Sequence, residues 1–465
     1  MHGCGNSMPK RRAFGPAAVP VAAAMLAATA LAASACGSSP PPPKAARLTV
    51  NGGQVGTDTR PDLGLVVNAS GGKLRSVKAA DGQGHPVAGY VESGGTAWHS
   101  DWTLQPSQSY IVTATAVNPA GKKTTTTRMF QTLTPAHTFS AQVNVDDGAA
   151  SESGGTYGVG MPIMVSFDQP VTDRAAVERS FELRASKPVV GAWHWLDSTH
   201  VNFRPRDYWP QYTTVQFTAH LGGIQGAPGT FGGSDLQYDF NIGQSMVVDV
   251  SASSHYMRVY LNGSSKPAFT WPVSTGSPGD DTPDGAYLTM DKGNPVDMNS
   301  ASFGVGPGSP GYYNVEVYDS VRFTWSGNYI HSAPWSVGDQ GSDNVSHGCV
   351  NLGPDYAAWY YDHATYGDPV TVTGSPVAGT AGDGYTDWFL SWQQLVQGSA
   401  LGQAVVAGPN GSYFTDPNTA TATAAPAPAG HGAKTAKPAS TAHPVKQAKP
   451  STRPSSSYPA GGSPW

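Results

Sequence analysis

Between about Arg47 and Pro135 the chain alternates short apolar runs with clusters of turn-forming residues. "LGLVVNA", "SYIVTATAVN" and "KKTTTTRMFQTL" are separated by "ASGGK", "ADGQGHP" and "PAGK". Runs of β-branched residues at this spacing predict the strands of an all-β sandwich over 47–135. A second unit over 136–243 repeats the pattern with "IMVSFDQPV", "THVNFRP" and "TTVQFTAHL". It adds one short helix in "DRAAVERSFEL". Trp193 and Trp195 flank His194, so one strand face carries both indoles, as core packing requires. Neither unit shows a catalytic constellation, and both read as spacers or contact modules.

Over 246–377 the pattern stays β but changes character. "HYMRVYLNG" alternates Met257, Val259 and Leu261 with other side chains and turns at Asn262-Gly263 into "KPAFTWPVSTG". Asn-Gly supplies the positive φ angles of a tight hairpin turn. "VRFTWSGNYI" runs into His331 and places it at a strand end. "GPDYAAWYYDHATYG" predicts a short helix with Asp355 as N-cap, and "DPVTVTG" a closing strand. The segment 378–412 holds Trp388, Phe389 and Trp392 at helix-like spacing and is expected to pack back on the preceding unit. The tail, 413–465, is rich in Ala, Pro, Thr and Ser; beyond Pro417, Lys434, Lys437, Lys446, Lys449 and Arg453 face no acidic residue. It lacks the apolar surface needed to fold and is expected to be disordered.

Composition agrees with the strand pattern. Of 465 residues, 56 are Gly and 39 Pro, and only 13% are charged, which suits short strands joined by turns. The net charge of −5 argues against nucleic-acid binding, which needs a basic surface. The N-terminus has the shape of an export signal over 1–36: Lys10, Arg11 and Arg12, an apolar stretch from Ala17 to Ala35, then "LAASAC". Small residues abutting Cys36 resemble a bacterial lipobox, with Ala33 where Leu is more usual. Lipidation of Cys36, ordinary cleavage and an uncleaved anchor are the three readings. "RRAF" is a weak twin-arginine pattern, and Met8 is a second candidate start. Residues 37–46 form a Ser/Pro tether.

The export signal makes the cysteines informative. Cys4 leaves with the signal and a lipidated Cys36 has no thiol, so Cys349 stands alone in the mature chain. A lone cysteine outside the cell is a reactive thiol or an intermolecular partner. In "IHSAPWSVGDQGSDNVSHGCVNL", His331 ends one strand and Cys349 opens the next element, across a Gly/Ser/Asp-rich loop. Only the thiolate is strongly nucleophilic, and an imidazole can take the thiol proton, so the pair is a minimal acyl-transfer engine. Gly348 allows close backbone approach, and the amides of Gly348 and Cys349 are expected to face a developing oxyanion. His347, two residues before the cysteine, reads as loop support and His331 as the base. Zinc binding by His331, His347 and Cys349 lacks a fourth ligand and any paired cysteines. His255, His363 and His443 read as surface residues.

These residues resemble the signature of the YkuD-type L,D-transpeptidases: a histidine, a spacer, then Ser/Thr-His-Gly-Cys and Asn, here His331, Ser346, His347, Gly348, Cys349 and Asn351. "VSTGSPGDDTPDGAY" is similar to the family's second stretch, at Gly276, Thr282, Pro283 and Gly285. The likeness is strongest over Val247 to Thr373. More loosely the whole chain looks like the lipid-anchored members, with two immunoglobulin-like domains before a β-sandwich catalytic domain.

The resemblance implies that Cys349 attacks the carbonyl after the third residue of a peptidoglycan tetrapeptide stem and expels D-Ala. His331 moves the proton, the Ser332 carbonyl orients the imidazole, and His347 supports the oxyanion loop. Met298, Tyr313, Trp335, Ser346 and Asn351 line the substrate crevice. An amine from a neighbouring stem then resolves the thioester into a cross-link between third residues; water instead would make an L,D-carboxypeptidase. A wall-binding scaffold without catalysis is the remaining alternative. The resemblance further implies carbapenems as covalent inhibitors, no metal or cofactor, and an extracytoplasmic lipoprotein facing the cell wall.

Overall fold

The computed structural model describes residues 44–422 apart from 54–55, 147–148 and 151–152. The signal segment, Cys36, the tether through residue 43 and the tail from residue 423, with His443, lie outside the described residues.

The N-terminal unit pairs Arg47–Val50, Val66–Ser70, Ala97–Ser100 and Gly89–Val91 in one sheet and Lys73–Asp81, Ser109–Val117 and Lys123–Gln131 in another. The strand Ser109–Val117 shows the cause. Tyr110, Val112, Ala114 and Ala116 point into the core with Leu65, Val67 and Trp98, while Ile111 and Thr113 point outward. The second unit is built on a large mixed sheet over an aromatic core. Trp193 is fully buried, with its ring against Phe181, Phe203 and Phe217. Its short helix, Arg174–Arg179, starts where the Asp173 carboxylate accepts the Ala176 N–H.

The segment after the catalytic domain departs from the expected packing. Phe389 does contact the catalytic domain, with its ring 5.1 Å from Tyr287, and Gly285 leaves room for it, since a Cβ there would lie 2.4 Å from Phe389 Cζ. Beyond it, however, Ala404–Gly408 enters the second unit's sheet. It pairs antiparallel with Val189–Trp195 on one side and parallel with Phe181–Ala185 on the other. Ala404, Val405, Val406 and Ala407 are all buried, as a continuous apolar run between two partner strands should be. Its hairpin mate Gly411–Thr415 carries regular structure past residue 412, where the disordered tail was expected to begin. The aromatic residues expected on one helix divide between a 3-10 turn, Asp387–Phe389, and a helix, Trp392–Gln397, opened by a capping box at Ser391 and Gln394.

The catalytic domain forms one mixed sheet in the order Gly285–Leu288, Pro369–Thr373, Met246–Ser251, Tyr256–Leu261, Phe269–Ser274, Val350–Leu352, Tyr329–Ser332, Asn314–Arg322 and Asp291–Gly293. Val296–Asn299 also pairs with Asn314–Arg322. The Asn262-Gly263 turn forms with φ of 56° and 69°. The helix Pro354–His363 is capped by Gly353, with Pro354 at its first position and Asp355 one step further in; proline's fixed φ starts the helix before Asp355 can cap it. The helix packs Ala357 and Tyr360 on the sheet.

Glu178 fastens the C-terminal segment to the second unit. Its fully buried carboxylate accepts from Trp195 Nε1 (3.1 Å), Ser399 Oγ (2.5 Å) and the Ala400 N–H (2.7 Å). Burial raises its pKa and these donors oppose the rise. Glu178→Ala strands three donors and is expected to cost about 3 kcal/mol in denaturant unfolding. A loss below about 0.5 kcal/mol, the range of an ordinary surface substitution, would mean that strand pairing alone holds the segment.

Candidate active site

The strands Tyr329–Ser332 and Val350–Leu352 run parallel, with Ile330 opposite Val350 and His331 opposite Asn351. This register sets Cys349, immediately before its strand, beside the strand that carries His331. Both side chains line one cavity of about 240 Å³. Met298, Tyr313, Trp335, Ser346, His347 and Asn351 line it too, so the expected crevice residues are together. Ser332 and Gly348 act on the site through their backbones.

The His331 imidazole is buried, and its Nδ1–H donates to the Ser332 carbonyl at 3.0 Å. A carbonyl only accepts, so the proton sits on Nδ1 and the Nε2 lone pair is left for a proton. Burial lowers the His331 pKa to about 4, against the raising effect of that hydrogen bond. Cys349 is half-buried; its sulfur lies 3.8 Å from the Gly327 carbonyl and 3.9 Å from Met298 Sδ. Loss of water raises the thiol to about 11, with only the backbone of Tyr329 opposing the rise. The resting pair is therefore a neutral thiol and a neutral imidazole, and deprotonation must accompany attack.

Gly348 is the structural pivot. Its φ is +108°, and a Cβ would stand 2.9 Å from Asn328 Nδ2. Its carbonyl accepts from Thr282 Oγ1 and Asn328 Nδ2, each at 2.8 Å. Thr282 Oγ1 also accepts the Gly276 N–H at 2.9 Å, which explains how the second sequence stretch serves the first. The expected oxyanion role of the Gly348 amide is not met, because that N–H donates to Ser346 Oγ at 3.1 Å. Ser346 Oγ in turn donates to the Cys349 carbonyl at 2.6 Å. Ser346 thus braces the turn as well as lining the cavity.

The crossover from residue 333 to 349 is tied down along its length. Asn351 Nδ2 donates to Ser336 Oγ at 3.0 Å, and the Gly341 N–H to the Val273 carbonyl at 3.0 Å. Asn344 accepts the Thr275 N–H and donates to the Ala252 carbonyl, both at 3.0 Å. His255, expected at the surface, is half-buried, with Nδ1 3.0 Å from Asn344 Oδ1; its φ of 61° turns it toward the crossover. His363 is exposed, as expected. His347 is exposed and lays its ring 4.8 Å from that of Tyr313.

Sequence reasoning missed Asn328, Val315, Val317, Ser336, Asp339 and Val345. The alternation in "YYNVEVYD" carried a signal, since Tyr313, Val315 and Val317 share one strand face and all line the cavity. Asn328 and Ser336 gave none, because a side chain's bond to a distant backbone has no periodicity.

Residues 245–372 match the YkuD family, described as the L,D-transpeptidase catalytic domain, and 56–225 match the bacterial Ig domain family Big_10. Over 354 residues the chain is 34% identical to L,D-transpeptidase 2 of Mycobacterium tuberculosis, covering 76% of this chain and 84% of that protein. The chain belongs to the L,D-transpeptidase family. Members of this family are enzymes that act on peptidoglycan, and the two β units before the catalytic domain are immunoglobulin-like. L,D-transpeptidase 5 of the same organism is 32% identical over 367 residues, 77% of this chain and 78% of that one. Among solved structures, LD transpeptidase LdtMt1 in complex with imipenem is 40% identical, covers 50% of this chain and 100% of its own, and has a TM-score of 0.41.

The two burial effects predict how the thiol reacts. Alkylation of Cys349 by iodoacetamide should climb steadily from pH 6 to 9, with no midpoint in that range and a rate at pH 7 below that of free cysteine. A plateau beginning near pH 7 would instead reveal a preformed thiolate–imidazolium pair.

Proposed function

We propose that this protein is an exported peptidoglycan L,D-transpeptidase that cross-links stem peptides between their third residues through a thioester on Cys349. The observation that carries the reading is the oriented imidazole of His331 lining one cavity with the Cys349 thiol. The donor is a tetrapeptide stem. Cys349 attacks the carbonyl of its third residue while His331 Nε2 takes the thiol proton, then passes it to the departing D-Ala amine. A side-chain amine of a second stem attacks the thioester; C–N forms, C–S breaks and the thiol is restored.

Ser332 keeps the imidazole in the working tautomer through its carbonyl. Ser346, Thr282 and Asn328 hold the Gly348 turn in which Cys349 sits. Trp335, Tyr313, Met298 and Asn351 offer apolar and amide surface to the stem, and His347 braces Tyr313 at the rim. The "LAASAC" segment supports a lipid anchor at Cys36, with the tether and the immunoglobulin-like domains carrying the catalytic domain toward the wall. A β-lactam carbonyl offers the same target as the stem carbonyl, so carbapenems acylate Cys349 in this reading.

Intact-mass spectrometry tests it, with a tetrapeptide muropeptide and, separately, a carbapenem. An adduct mapped to Cys349, loss of D-Ala and a cross-linked dimer are expected. Tripeptide without dimer would identify a carboxypeptidase, and no adduct on folded protein a non-catalytic scaffold. Cys349→Ala should abolish turnover and leave the unfolding transition in place. His331→Ala should slow acylation by at least about 100-fold, the usual worth of a positioned base. His347→Ala should be milder; the reverse order would transfer the role of base to His347.

A further inference from the structure

Of the side chains lining the cavity, Asp339 is the only carboxylate, and no lysine or arginine lines it. Its backbone is committed: the N–H donates to the Ser336 carbonyl at 3.0 Å, and its own carbonyl accepts the N–H groups of Ser342 (3.0 Å) and Asp343 (2.8 Å). The neighbouring Gln340 Nε2 donates to the Ala333 carbonyl at 3.2 Å, so the turn that presents Asp339 is fixed on both sides. The Asp339 carboxylate, by contrast, makes no hydrogen bond or ion pair with any described residue. A half-buried carboxylate held at a site wall without a cation has the sign and exposure to receive one.

The reaction proposed above brings two peptides of different charge to Cys349. The donor's reacting end terminates in a carboxylate, which the Asp339 wall repels. The acceptor presents a primary amine that is an ammonium in water, and this wall attracts it. We propose that Asp339 is the acceptor-binding residue, its carboxylate receiving the side-chain ammonium of the second stem and holding it for attack on the thioester. This inference rests on the transpeptidase reading of the site.

The balance of the second half-reaction follows. The bound ammonium releases one proton to solvent through the cavity mouth. The neutral amine adds to the thioester carbonyl, forming C–N as C–S breaks. Its second proton passes by way of His331 Nε2 to the Cys349 sulfur. Amide, free thiol and one solvent proton are the products. An amine held in place also outcompetes water, so Asp339 sets how the acyl-enzyme partitions between cross-link and hydrolysis.

The test uses the full chain with separate donor and acceptor probes. The donor is a disaccharide-tetrapeptide whose side-chain amine is acetylated; the acceptor is a disaccharide-tripeptide ending in meso-diaminopimelate with its amine free. Asp339→Asn should raise the acceptor KM about tenfold, as expected for losing a charge-assisted contact, and shift product toward hydrolysed tripeptide. At saturating donor and saturating carbapenem, D-Ala release and acylation should stay within about twofold, which also reports that the variant is folded, while the donor KM should fall if it moves at all. Hydroxylamine, a nucleophile uncharged at neutral pH, should trap the thioester equally in both proteins, and Asp339→Glu should recover most of the acceptor KM. An unchanged acceptor KM in Asp339→Asn would overturn the proposal. So would a parallel loss of hydroxylamine trapping, which would make Asp339 a support for the loop. If wild-type protein forms no adduct with donor or carbapenem, it is the transpeptidase reading that fails.

Discussion

The parallel pairing of Tyr329–Ser332 with Val350–Leu352 is the constraint on which the site depends. Side chains alternate across a sheet, so a slip of one residue would send the His331 imidazole to the opposite face from its cavity. Parallel neighbours also cannot be joined by a tight turn and need a long crossover. In this domain the crossover carries Trp335, Asp339, Ser346 and His347 to the cavity wall. A long irregular connection is ordinarily loose. This one is fastened by side-chain amides and hydroxyls to the strands beneath it, so the demand for a crossover becomes the means of building one wall of the site.

Burial is the second organising influence. It keeps the thiol protonated and the imidazole neutral at rest, and a protonated thiol is also slow to oxidise. Reactivity then depends on geometry rather than on a standing thiolate. The Ser332 carbonyl supplies that geometry by fixing which nitrogen carries the proton.

Much of this was legible in the sequence because it rests on local pattern. Period-two burial in Ser109–Val117, the Asn262-Gly263 turn and the spacing of His331, His347 and Cys349 each have a sequence signal a few residues long. What was not legible depends on partners far apart in the chain. The Gly348 amide looked available to an oxyanion until Ser346 Oγ was seen to occupy it. Asp355 looked like a helix cap because its residue type fits, yet Pro354 had already started the helix. The run Ala404–Gly408 is β-branched and apolar enough to read as a central strand, but nothing in it names the sheet it joins. His255 seemed a surface residue because its partner, Asn344, lies in the crossover.

The strand Ala404–Gly408 imposes an order of events in time. Synthesis delivers the second immunoglobulin-like domain long before the residues that complete its sheet. Until those residues arrive, Phe181–Ala185 and Val189–Trp195 stand with an open seam between them. Long-range pairing of this kind is slow to form and leaves unpaired edges exposed meanwhile. That domain can therefore complete its sheet only on a chain whose catalytic domain has already been made. A chain that stalls or is clipped before residue 404 leaves Phe181–Ala185 and Val189–Trp195 without the strand that joins them, an exposed edge in place of a buried one.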